Sequence, residues 1–270
     1  MTDTFDWQGR VGDSWAEEWQ RTDRSFAALT AVLLDRIVAA ASPGARLLDI
    51  GCGAGETSIA LAGLLPGAEV RGIDLSGNLI DVARSRGGKA DFAACDATLW
   101  RDSGWKPDLL VSRHGVMFFD DPVSAFRHFA SVSAPGAKMV FSCFRDRLDN
   151  QWATEVMRLL PPSPPMDPRA PGPFAFADPL HVMAILEQAG WKDVFAEPVD
   201  FPYIAGGGDD PLEDAIGFFR RIGPAARAVA TLDDAGRIAF FDALRPVLRA
   251  HLSDGSVTFN AAAWIWTAHL

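Results

Sequence analysis

Cysteine is scarce in this 270-residue chain: Cys52, Cys95 and Cys143 form an odd set with no C-x-x-C spacing. That pattern excludes a disulfide framework and a thiolate zinc site, and reads as reduced thiols with no metal. Long apolar runs are missing too. Nowhere do 18 consecutive apolar residues occur, and the opening MTDTFDWQGR lacks the apolar core of a secretory leader. The expected setting is therefore the cytoplasm, with no membrane partner. Positive charge is in deficit, with 25 Lys and Arg against 35 Asp and Glu and a formal net charge of -10. A phosphate-binding surface needs clustered cations, so nucleic acid is excluded as a partner, and Arg220 with Arg221 reads as a solvated helix face. Core material is plentiful: with 49% hydrophobic residues the chain can form one large α/β domain over 1–270.

The stretch LLDIGCGAGETS, Leu47 to Ser58, sets Gly51, Gly53 and Gly55 between Asp49 and Glu56. The apolar run before it reads as a buried strand over 46–50 and the run after it as a helix, so the glycines occupy a strand-to-helix turn. Glycine there permits positive φ and lets a ligand reach the backbone, where the N–H groups of the new helix also point. Phosphate fits this turn poorly. A P-loop would need G-x-x-x-x-G-K-[ST], and a dinucleotide turn would need a third glycine where Glu56 stands. No Lys or Arg lies between Ile50 and Arg71. Two carboxylates suit a ligand whose near end is cationic, and S-adenosylmethionine carries an ammonium and a sulfonium. Asp74 ends the strand expected over 69–73 and, as an acceptor-only group, can take both hydroxyls of a ribose. NAD enzymes place an acid there as well, so Asp74 alone does not separate the two cofactors. Asp96, after a third strand over 91–94, returns to the same edge and could accept from an adenine amino group.

Taken together, LLDIGCGAGETS, GIDLS, AACDA and DLLVSRHGVMFFDDP resemble a class I S-adenosylmethionine-dependent methyltransferase. The resemblance implies an α/β fold: a Rossmann-like three-layer sandwich around a mostly parallel seven-stranded sheet, its last strand antiparallel, with a helical cap. It implies cofactor contacts from Asp49, Gly51, Cys52, Gly53 and Gly55, from Asp74 and Leu75 at the ribose, and from Asp96 and Ala97 at the adenine. Ser112 and Arg113, after the fourth strand, complete the implied set. The later segments FSCFRD, APGPFAFADP and AAAWIWTAH resemble a bacterial subgroup of small-molecule enzymes, so the likeness runs through most of the chain.

Further strands are expected near 108–112, 138–144 and 194–199, and helices near 179–189, 211–222 and 232–252, the last kinked by Pro246. Seven prolines between Pro161 and Pro173 exclude helix or central strand there. A cofactor-binding core over 31–146 leaves three segments to cover the carboxyl strand ends: an N-terminal lid over 1–30 and cap segments 147–178 and 204–254, with a glycine joint at 206–208. They should enclose a small-molecule acceptor among Trp15, Trp19, Phe118, Phe144 and Trp152, with Phe174 and Phe218 as further candidates. On closure, Trp15 or Trp152 should become buried. Methyl transfer asks for alignment, exclusion of water and, for a hydroxyl or amine, removal of a proton. His114 is the candidate catalytic base; the alternative is that it packs against the cofactor or bonds to backbone. Arg113 could receive an acceptor carboxylate or pair with a lid acid. Two other functions stay open: a different group transfer from a derivative of the same cofactor, and a non-catalytic cofactor-binding module.

The protein should bind S-adenosylmethionine and S-adenosylhomocysteine but not NADH, because Glu56 stands where a dinucleotide turn requires glycine. Calorimetric titration with the three ligands checks this, and NADH binding in place of the two sulfur ligands would overturn it.

Overall fold

The computed structural model describes residues 9–161 and 167–270. The start of the expected N-terminal lid and the middle of the Pro-rich stretch lie outside the described residues. Helix α1 (Arg10–Glu17) leads into α2 (Trp19–Ala40), whose Phe26, Leu29, Leu33 and Ile37 recur at helical spacing and are buried against the sheet. Then follow β1 (Arg46–Ile50), α3 (Glu56–Leu64), β2 (Glu69–Asp74), α4 (Gly77–Ser85), β3 (Asp91–Ala94), β4 (Leu109–Arg113), α5 (Pro122–Val132) and β5 (Lys138–Phe144). The second half holds α6 (Gln151–Met157), α7 (Pro179–Gln188), β6 (Lys192–Gly206), α8 (Pro211–Arg221), α9 (Gly223–Ala230), α10 (Asp234–Ala250), β7 (Leu252–Ser253) and β8 (Ser256–His269). Three helices open on the same dipeptide. Asp121, Asp178 and Asp210 each accept a backbone N–H of the first turn, and the proline that follows needs no partner for its nitrogen.

The strands order as β3-β2-β1-β4-β5-β8-β6, with the short β7 paired to β8. From β3 to β5 all neighbours run parallel, and β8 runs antiparallel to both β5 and β6. The chain leaves β1 toward β2 and β3, then returns to the other side of β1 with β4 and β5, so the sheet changes direction between β1 and β4. A crevice opens at that point beyond the carboxyl ends of the strands.

Three local expectations change. β6 begins before and ends well past the segment expected near Val194 to Val199, running through both Pro198 and Pro202. On the sheet's outer edge a missing N–H costs no ladder bond, and both prolines pair in register with Trp264 and Asn260. Gly206, expected as part of a joint, is the last residue of β6, in register with Val257. Between 211 and 250 there are three helices where two were expected: Gly223 at φ 83 and Pro224 divide α8 from α9, while Pro246 sits inside α10 without ending it.

One side chain secures the junction between the core and the second half. Asn150 is fully buried at the start of α6, just past the end of β5. Its Oδ1 accepts from Ala262 N (3.0 Å) and from Trp152 Nε1 (3.3 Å), and its Nδ2 donates to Ala262 O (3.2 Å) and Asp146 O (2.9 Å). It thus extends the β5 ladder along β8 and holds Trp152 in place. Asn150→Ala should lower stability by about 2–3 kcal/mol by stranding a buried β8 amide and an indole N–H. Urea denaturation followed by circular dichroism checks this; a loss under about 0.5 kcal/mol, a surface-like effect, would contradict it.

Candidate active site

The turn after β1 approaches the turn after β4 so closely that a Cβ on Gly51 would lie 3.0 Å from Gly115 Cα. Ser112 keeps this approach in place from behind. Its hydroxyl donates to Ile50 O (2.6 Å) and accepts from Gly115 N (3.2 Å). Ser112 is buried and absent from the cavity wall, which departs from the contact the resemblance implied for it. Gly55 departs too. At φ 80 it opens α3, and a Cβ there would lie 2.7 Å from the Phe92 ring, so the position serves packing rather than a ligand. Gly53 behaves differently: at φ 54 a Cβ would meet nothing within 4 Å and would project beside an open cavity.

That cavity measures about 490 Å³, within the range of ligand sites. Asp49, Gly51, Cys52 and Gly53 line it, as do Asp74, Leu75, Asp96, Ala97, Arg113 and His114. Asp74 Oδ2 accepts from Gly53 N and its Oδ1 from Ser76 N, both at 2.9 Å, and each oxygen keeps a lone pair for a ligand. Burial raises its pKa, against the lowering effect of these backbone donors. Asp96 is braced by Thr98, whose N–H (2.8 Å) and hydroxyl (2.7 Å) both donate to Oδ1. Asp49 is the most enclosed of the three, at 1% exposure. Ser58 donates to its Oδ2 (2.6 Å), its Oδ1 has no partner among the described residues, and burial pushes its pKa up to about 6. A carboxyl on the wall with one oxygen left without a partner among the described residues suits a cationic ligand group.

Glu56 does not share that role, although the sequence pairs it with Asp49 across the loop. It turns away from the cavity wall to form an ion pair with Arg113. Arg113 also donates to Asp23 (3.1 Å) and to the Thr30 hydroxyl (2.8 Å), both on α2, and lies over the Phe26 ring. Of the two fates expected for Arg113, pairing with an acid of the covering segment is the one realised. Asp23 receives a second cation, Arg86, at 2.7 Å; Arg86 lies over Trp19, 4.1 Å from the ring centroid, and donates to Ala54 O (2.9 Å). Thr22, Asp23 and Phe26 also stand on this wall and were not singled out from the sequence, which placed them in the N-terminal lid over 1–30 without a role of their own.

His114 sits at φ 62, in the left-handed region, and is 7% exposed. Its Nδ1 lies 2.9 Å from Ser142 Oγ, while Nε2 has no partner among the described residues. Burial, then the neighbouring Arg113 charge, lowers its pKa to about 3, so the ring is neutral at physiological pH. Trp15, Trp19, Phe118, Phe144 and Trp152 all line the cavity. Phe174 does not, though it stacks on Trp152 from behind, and Phe218 is a core residue. Trp152 is already 5% exposed, so it has little surface left to bury on closure. Tyr203 on β6 and Ile222 to Pro224 at the α8–α9 break also line the wall and were not foreseen. The β6 stretch read as leaving the sheet before Tyr203.

A glycine turn at the change of strand direction, with Asp49 buried near the end of β1, Asp74 at the end of β2 and Asp96 after β3, defines a Rossmann-like site for a nucleoside cofactor bearing a cation. Residues 19–194 match the family described as "Methyltransferase domain", and the chain belongs to that family. It is an S-adenosylmethionine-dependent enzyme. Trans-aconitate 2-methyltransferases are similar: that of Methylobacterium radiotolerans is 27% identical over 77% of this chain and 74% of its own, and that of Streptomyces coelicolor 29% identical over 81% and 73%. A shorter match, 33% identical, to the Paracidovorax citrulli protein of that name spans 35% of this chain and 37% of the other. In fold the chain resembles Haemonchus contortus phosphoethanolamine N-methyltransferase 2, crystallised with S-adenosyl-L-methionine, at a TM-score of 0.58 and 16% identity. That alignment covers all of this chain and 60% of the larger one.

Asp49 supplies a pH test. A carboxyl whose pKa is raised on folding stabilises the fold below its unfolded value of about 3.9, and that contribution is lost as pH rises through about 6. A cationic ligand favours the ionised form, so binding should release a proton near pH 6. Affinity for S-adenosylmethionine should rise as pH goes from 5 to 7 and should be flat over that range in Asp49→Asn. Calorimetry in buffers of different ionisation enthalpy measures the proton release; its absence in the native protein would contradict the assignment.

Proposed function

We propose that the protein transfers the methyl group of S-adenosylmethionine to a small, partly apolar acceptor by in-line displacement. The observation that carries this reading is one continuous cavity lined both by the glycine turn with Asp49, Asp74 and Asp96 and by the rings of Phe26, Phe144, Trp152 and Tyr203. In this reading Asp49, Gly51, Cys52 and Gly53 hold the methionine part, Asp74 and Leu75 the ribose, and Asp96 and Ala97 the adenine. The bound cofactor supplies an already activated methyl on a sulfonium. The chain's own task is then to align, to exclude water and to accept a proton where the acceptor carries one. Phe26, Phe144 and Trp152 exclude water, and His114, a wall residue whose buried Nε2 has no partner among the described residues, is the candidate to accept an acceptor's proton.

The covering segments follow from the same reading. The N-terminal segment reaches the cavity through Trp15, Trp19 and Asp23, the segment 147–178 through Trp152 and Pro173, and the segment 204–254 through Ile222 to Pro224. The three cysteines are unpaired, which suits the reducing cytoplasm. The relatives' name points to trans-aconitate, a tricarboxylate. This cavity has Arg113 as its sole Lys or Arg among the described lining residues, and that cation is already paired. The proposed acceptor is accordingly less polar than theirs.

Asp74→Ala should weaken S-adenosylmethionine binding by about 1.5–3 kcal/mol with the fold retained, since it removes charge-assisted bonds to the ribose. Gly53→Val should weaken it by filling the space beside the turn, where a Cβ meets no protein atom within 4 Å. Titration calorimetry on both variants, with circular dichroism as the folding control, decides the matter. Native affinity in folded Asp74→Ala would remove the ribose assignment.

A further inference from the structure

The walls of the cavity contain two buried side-chain atoms that lack a hydrogen-bond partner among the described residues, Asp49 Oδ1 and His114 Nε2. The first belongs to the cofactor end. The second lies among rings contributed by separate elements: Phe26 of α2 at 4.9 Å between centroids and Phe144 of β5 at 4.3 Å, with Trp152 and Tyr203 stacked on each other at 5.1 Å just beyond. The polar tips of those neighbours are already engaged. Trp152 Nε1 donates to Asn150 Oδ1, and the Tyr203 hydroxyl bonds to Ser25. Ring faces therefore make up this end of the cavity, and they favour a flat apolar partner.

Charge narrows the choice further. Arg113, the one Lys or Arg among the described lining residues, is bound to Asp23 and Glu56, and residues 1–8 and 162–166 contain no Lys or Arg. Against it the same wall carries Asp23, Asp49, Asp74, Asp96, Asp120 and Asp121. A carboxylate brought in among these rings would be desolvated with no free cation among the described lining residues to pair with. The geometry of His114 then selects the polar group. Ser142 Oγ occupies Nδ1, and a hydroxyl can answer Nε2 in either tautomer, donating to the bare nitrogen or accepting from N–H. A carbonyl can only accept and an ammonium can only donate.

We infer that the acceptor is an uncharged, flat aromatic compound bearing a hydroxyl, seated with that oxygen on His114 Nε2, and that polycarboxylates are refused. This rests on the methyltransferase reading above, and it makes His114 the residue that determines acceptor specificity.

The test titrates the S-adenosylhomocysteine-loaded protein with phenol, 2-naphthol and 9-phenanthrol, with the matched carboxylates and fluoroarenes, and with trans-aconitate. At least one hydroxyarene should bind about tenfold or more tighter than both its carboxylate and its fluoroarene, the worth of one buried hydrogen bond, and trans-aconitate should bind more weakly still. His114→Phe keeps a ring and removes the nitrogens, whereas His114→Asn suits the left-handed backbone and withdraws the polar atom. In each variant the ratio of hydroxyarene to fluoroarene affinity should collapse toward one, an internal ratio that general loosening does not mimic. If one variant fails to fold, the other decides. The inference is overturned if no hydroxyarene outranks its carboxylate and its fluoroarene, if trans-aconitate outranks them all, or if the ratio survives in a folded variant. Failure of S-adenosylhomocysteine itself to bind would bring down the cofactor reading and this inference together. Its binding without hydroxyarene preference removes the inference alone.

Discussion

The Arg113 guanidinium is the interaction on which the site depends. It stands at the end of β4, where the sheet changes direction, and gathers Glu56 from α3 with Asp23 and Thr30 from α2. Buried ion pairs of this kind contribute little net stability, since desolvation offsets most of the attraction, but removing one member strands the others. Their effect here is on geometry. They tie α2 across the crevice, which turns an open strand edge into a walled cavity and brings Phe26 against His114. The same positive charge adds to burial in keeping the His114 ring neutral.

The acids around the crevice divide according to what solvates them. Asp74 is held by backbone N–H groups and Asp96 by Thr98, so both are oriented before any ligand arrives. Asp23 and Glu56 are neutralised by arginines. Asp49 has one hydroxyl donor and one bare oxygen. Carboxylates close together in the chain thus carry different duties, because a buried charge is decided by its partners and not by its neighbours in sequence.

Much of the frame was legible from residues alone. The apolar run 46–50, the glycine turn and the alternation of strands with helices through Phe144 follow from local periodicity, which needs no knowledge of distant contacts. The Asp-Pro helix starts are likewise local chemistry. Where local and tertiary signals conflict, the reading slipped. β6 was expected to stop near Val199, and its continuation through Pro202 is acceptable only because it lies at the sheet's edge, which the local sequence does not show. Glycine at 51, 53 and 55 looked like one signal and is three: close approach to Gly115, an open face on the cavity, and room for Phe92.

Sequence by itself determined the fold class, the turn that faces the cavity, Asp74 at the end of β2 and Asp96 after β3, and the aromatic residues Trp15, Trp19, Phe118, Phe144 and Trp152 that line the cavity. These are properties of short segments whose backbone conformation and composition are set nearby. Tertiary structure alone decided that Glu56 turns to Arg113, that Ser112 and Gly55 pack behind the wall, that Tyr203 and Phe26 join it, and that His114 Nε2 is left without a partner among the described residues. Each of those facts is a pairing between residues far apart in the chain, and which pairs meet is settled only when the sheet has closed and the helices have docked across it.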